Sequence, residues 1–101
     1  MINSEKIKTL IEERIKLLPD DPKMSEIWNE LTQIFSKNEQ ATIEYLNNCS
    51  ECQIEWISEV FEDISENLQS EEFIDTLEKL QEKFSDLEMD ISYAKETLRK
   101  R

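Results

Sequence analysis

The chain has 101 residues, with no glycine, no histidine, two prolines, and 24 acidic against 12 basic side chains for a net charge of −12. That length suits one domain with a modest core, so residues 1–101 are expected to fold as a single unit. The sign of the charge argues against nucleic acid and anionic lipid as ligands, and the absence of histidine removes the commonest general base and transition-metal ligand.

Strand-built folds need glycine at tight turns and bulges. An all-α protein is therefore expected, with five to six short helices in a compact bundle or a short α-solenoid. The first helix runs from about Asn3 to Leu18, with Ile7, Leu10, Ile11, Ile15 and Leu18 at helical spacing. Pro19-Asp20-Asp21-Pro22 stops it, and Asp21 is the expected N-cap of the next helix, with Pro22 at its first position. The second helix covers about 23–36. Met24, Ile27, Trp28, Leu31, Ile34 and Phe35 share its apolar face, which makes Trp28 a core residue. Ser36 and Glu39 have capping-box spacing and open a third helix to about Asn48, burying Ile43 and Leu46 with Tyr45 on a flank.

Ser50 and Gln53 repeat that spacing and open a fourth helix over about 51–68. Ile54, Ile57, Val60, Phe61, Ile64 and Leu68 fall on one side of it. Glu51, Glu55, Glu59, Glu62, Asp63 and Glu66 fall within roughly a third of the circumference on the other. Ser70 caps a fifth helix to about Phe84, with Glu71 and Glu72 in its first turn and Phe73, Ile74, Leu77, Leu80 and Phe84 inward. Asp90 is expected to cap a last helix bearing Ile91, Ala94 and Leu98, which ends in Arg99-Lys100-Arg101.

No apolar run is long enough to span a membrane, and MINSEKIKTLIEERIK contains no apolar signal core. A cytoplasmic location is the default, with Cys49 and Cys52 as reduced thiols. Cys49-Ser50-Glu51-Cys52 has C-x-x-C spacing, but there is no second pair, no histidine and no βαβ pattern to make it a zinc or redox site. No nucleophile with an activating base, phosphate-binding glycine loop or calcium loop is present, so neither a cofactor nor an enzymatic activity is expected.

The charge is the informative feature. Residues 51–90 carry fourteen acids against Lys79 and Lys83, a net −12 equal to that of the whole chain. Like charges at i,i+4 spacing each cost a few tenths of a kcal/mol, so an unrelieved row costs roughly 1 kcal/mol or more. A surface that meets lysine and arginine of a partner would account for keeping it. The bland alternative is a solvated face that only confers solubility. Trp56, between the apolar side and the acids, suits an interface anchor that stacks on an incoming arginine, and packing under a neighbouring helix is the competing role.

The stretch Glu55-Trp56-Ile57-Ser58-Glu59-Val60-Phe61-Glu62-Asp63-Ile64-Ser65-Glu66-Asn67-Leu68-Gln69-Ser70, continuing through Glu71-Glu72-Phe73-Ile74 to Leu77, Leu80 and Phe84, resembles the C-terminal half of small all-α immunity proteins encoded beside polymorphic and contact-dependent bacterial toxins. The resemblance spans about residues 50–90. It implies a monomeric, non-enzymatic protein that binds one cognate toxin in the cytoplasm. Such toxins are often RNases or DNases with basic grooves, which an acidic helical face can occupy. The expected partner-binding residues are Glu55, Trp56, Glu59, Glu62, Asp63 and Glu66, with Glu71 and Glu72 as a rim. Two alternatives remain: a self-associating or partner-docking helical protein, and an acidic mimic of nucleic acid.

Overall fold

The computed structural model describes residues 2–18, 20–84 and 87–98, without the side chains at 51, 52, 88 and 89. These residues form seven α-helices: α1 (Ser4–Lys16), α2 (Lys23–Ser36), α3 (Glu39–Asn47), α4 (Glu51–Ile57), α5 (Phe61–Leu68), α6 (Glu71–Lys83) and α7 (Glu88–Glu96). A 3₁₀ turn, Ser58–Val60, joins α4 to α5. Taken as one bent element, α4–α5 brings the count to the expected six. Pro19, Asp86 and the Arg99-Lys100-Arg101 end lie outside the described residues.

Short polar side chains start most of the helices. Asn3 Oδ1 accepts from Lys6 N at 3.1 Å, Asn38 Oδ1 from Ala41 N at 2.8 Å, Ser50 Oγ from Gln53 N at 3.4 Å and Ser70 Oγ from Phe73 N at 3.0 Å. The Ser36–Glu39 box is thus replaced by Asn38, one residue before α3. Asp21 Oδ1 accepts from Lys23 N at 2.9 Å, but α2 begins at Lys23, so Pro22 takes the cap position in place of Asp21. Asp90 does not cap α7: the helix begins two residues earlier, leaving Asp90 inside its first turn.

The fourth helix breaks in the middle. Ser58 Oγ donates to the Glu55 carbonyl at 2.6 Å, a back-bond that bends helices, and Val60 sits at φ −114°, ψ 9° rather than in the α region. At the other end of α5 the chain needs a left-handed residue. Having no glycine, it uses Gln69 at φ 47°.

The helices stack as two layers. α1, α2 and α3 pack side by side, and α4, α5 and α6 lie beneath them, pairing α1 with α4, α2 with α5 and α3 with α6. α7 closes the structure against α5, α6 and the 3₁₀ turn. All seven helices feed one apolar cluster that includes Ile7, Phe35, Leu46, Ile57, Phe61, Phe73 and Ile91. An α-solenoid buries its apolar surface only between successive repeats, so the arrangement is a compact bundle. The Cα radius of gyration, 12.8 Å, matches the ~13 Å of a folded chain this long.

Four apolar expectations fail, one on α3, where Thr42 is buried and Ile43 only half-buried, and three on the α1–α2 hairpin. Ile15 and Leu18 continue the α1 stripe in sequence but are 50% and 70% exposed; Ile15 sits in the last turn of α1, and Leu18 lies beyond its end at Lys16. Trp28 is 36% exposed instead of buried. Among the described residues no helix is long and apolar enough to cross a membrane.

Candidate partner-binding face

Glu59 is the centre of the candidate face, and the fold surrounds it. Arg14, from the last turn of α1, grips its carboxylate with two donors on one edge of the guanidinium: Nε donates to Oε1 at 2.7 Å and Nη2 to Oε2 at 2.5 Å. The Trp28 indole N–H donates to the same Oε1 at 3.0 Å. The guanidinium also lies over the Trp56 ring, 4.9 Å from its centroid. The Arg14 and Glu59 side chains keep only 15% and 26% of their accessible surface.

This knot revises how the acidic row is balanced. No cation is interleaved within residues 51–68, but Arg14 arrives from forty-five positions away and neutralises the central acid. It also takes the place on Trp56 where an incoming arginine was expected to stack. Trp56 is half-buried and packs against the core cluster, which is the competing packing role.

The remaining site residues are exposed: Glu55 on α4, Glu62, Asp63 and Glu66 on α5, and Glu71 and Glu72 at the start of α6. They do not form one straight row. A 3₁₀ residue turns 120° where an α residue turns 100°, so the three-residue turn advances the helical phase by about 60° between Glu55 and the α5 acids. Glu72 accepts from Gln40 Nε2 at 3.3 Å. Glu55, Glu62, Asp63 and Glu71 have no ion pair among the described residues. The Glu51 side chain lies outside them.

Asp90 extends the cluster from α7. Its carboxyl is pushed up from the ordinary range, mainly by burial and further by the Glu59 charge, against the nearby Ser58 hydroxyl, which favours the ionised form. Sequence reasoning missed Arg14, Trp28 and Asp90 as members of this site. For Arg14 a signal was present. It lies three residues after Ile11 and four after Leu10, on the buried side of α1, where an arginine requires a partner.

A second polar cluster joins α3 to α4. Gln53 Oε1 accepts from Tyr45 Oη at 2.9 Å and from Cys49 Sγ at 3.3 Å. Burial is the main reason that the Tyr45 phenol is pushed up to about 12 and the Cys49 thiol to about 11. Cys49 is a free, poorly nucleophilic thiol; the Cys52 side chain lies outside the description. Among the described residues no group of three or more His, Cys, Asp or Glu is placed to hold a metal ion.

Fold and site together define an all-α protein with an acidic, aromatic-bearing face. Comparison with protein-family models, curated proteins and solved structures returns no match for the chain.

Proposed function

We propose that the protein is an immunity protein: a non-enzymatic inhibitor that binds a basic toxin domain, with a nuclease as the expected target, through the face built on α4, α5 and the start of α6. One observation carries the reading. Glu55, Glu62, Asp63 and Glu71 stand exposed without ion pairs among the described residues, on the same α4–α6 stretch that carries Trp56 and that meets Trp28 through Glu59. Uncompensated acidic charge on a stretch that also carries partly exposed aromatic groups suits a partner rich in lysine and arginine. The acidic charges set the association rate and the choice of partner, and the aromatic groups contribute to the lifetime of the complex.

The direct test is co-expression. The open reading frame immediately upstream supplies a C-terminal fragment of ~150 residues, the size of a typical domain. That fragment is expected to arrest growth alone and to become harmless when this chain is present. A harmless fragment, or a toxic one that this chain fails to neutralise, removes the immunity reading.

A further inference from the structure

Four large apolar side chains among the described residues keep at least a third of their surface, and three belong to the α1–α2 hairpin: Ile15, Leu18 and Trp28. The hairpin joins the acidic face through one carboxylate. Trp28 and Arg14 both donate to Glu59, and Ile15 and Leu18 follow Arg14 by one and four residues. The apolar stripe of α1 continues past the point where the fold covers it. Burying these side chains in a complex removes apolar surface from water without stripping a charged group of its hydration.

Charge identifies the occupant. The Arg14 charge is spent on Glu59, so it does not offset the field of Glu55, Glu62 and Asp63 beside the hairpin. A second copy of this chain would bring a net −12 against a net −12. A basic protein surface with an apolar ridge meets both halves.

We propose that Ile15, Leu18 and Trp28 are the apolar half of the partner-binding face, seating apolar side chains of a basic protein while its lysines and arginines meet Glu55, Glu62 and Asp63. This rests on the basic-partner reading above and extends the contact surface from α4–α6 to α1 and α2. Glu59 and Arg14 are positioning residues. The two carboxylate oxygens already accept three hydrogen bonds, and the pair fixes Trp28 through its indole N–H and covers the Trp56 ring.

Binding kinetics separate the two halves, with the upstream-encoded C-terminal fragment as the probe. Ile15→Ser with Leu18→Ser touches only exposed side chains, so the helical circular dichroism should be retained. Affinity should fall about 10- to 100-fold, the range of apolar anchors, through faster dissociation with little change in association rate. Glu62→Lys with Asp63→Lys should do the reverse, slowing association and flattening its salt dependence. If the serine variant binds as tightly as the wild type, the apolar half is overturned and the acidic-face reading survives. A wild-type chain that does not bind the fragment removes both. If the free chain sediments as a dimer that the serine variant dissociates, the patch belongs to a second copy and the proposal fails.

Discussion

Arg14 illustrates how one residue ties three elements. Placed on the inner side of α1, it satisfies its charge on Glu59 of the 3₁₀ turn and its flat face on Trp56 of α4, while Trp28 of α2 completes the Glu59 oxygen. The pair is largely covered, so removing one partner strands the other. Arg14→Met is expected to destabilise the fold by about 2 kcal/mol in urea unfolding, and Glu59→Lys by more, because it sets a second cation beside Arg14. Charge reversal at Glu59 therefore confounds folding with binding, and Glu62 with Asp63 is the cleaner pair for testing the face. Thr32 makes the opposite case: its buried Oγ1 has no hydrogen-bond partner among the described residues, so Thr32→Val should be neutral or gain up to about 1 kcal/mol. Asp90 carries a pH signature. Its folded-state pKa is raised, so the fold disfavours the ionised form, and that penalty is relieved as pH falls from above the folded pKa toward the ordinary value of 3.8. Asp90→Asn should raise the thermal midpoint at neutral pH and shrink this acid-side gain. A neutral-pH midpoint below that of the wild type would refute it.

Among the elements, the α4–α5 junction matters most for the face. A continuous helix would align its acids along one side; the Ser58 back-bond and the 3₁₀ turn rotate α5 and let Glu59 meet α1 and α2 together. The α5–α6 link depends on Gln69, whose left-handed backbone costs about 1 kcal/mol in any residue with a Cβ. Its side chain offsets this by donating to the Thr97 carbonyl at 2.8 Å and the Glu66 carbonyl at 3.1 Å. Gln69→Ala should therefore lose more stability than Gln69→Gly, by about 1 kcal/mol in chemical denaturation, because glycine alone relieves the backbone strain. Ser70, next in the chain, caps α6 and also hydrogen-bonds Glu39 of α3, so it ties the first layer to the second.

For the molecule as a whole, a net charge of −12 is packed into extents of 38 × 26 × 26 Å. At about 0.01 M salt the screening length is ~30 Å, comparable with the molecule, and every carboxylate feels the rest. At 0.15 M it is ~8 Å, and only neighbours interact. Raising salt across that range should raise the thermal midpoint, because it screens self-repulsion more than it weakens the covered Arg14–Glu59 pair. A midpoint that falls with salt would mean that the ion pairs dominate. On the proposed function the same field would steer a basic partner, so low salt would trade some stability for faster association.

Much of this architecture was legible along the chain. The absence of glycine, the helical apolar spacing and the Ser50 and Ser70 caps sufficed for an all-α fold, for α2 at its observed limits and for the inward faces of α5 and α6, because backbone capping and burial periodicity are local, although the caps expected at Ser36 and Asp90 fell instead to Asn38 and Leu87. Where the sequence misled, the deciding contact was remote. Ile15 and Leu18 carry the helical period, yet whether a facing helix covers them depends on where α1 stops and how α2 crosses it. Trp28 lies on an apolar face but moves to the edge to reach Glu59. The acidic concentration over residues 51–90 was readable by counting; its division into one internally paired acid and several outward ones was not, because the neutralising Arg14 is distant in sequence and close only in space. Composition and period determined the helices and the sign of the field. Packing alone decided which charges are paired and which tryptophan keeps its surface exposed.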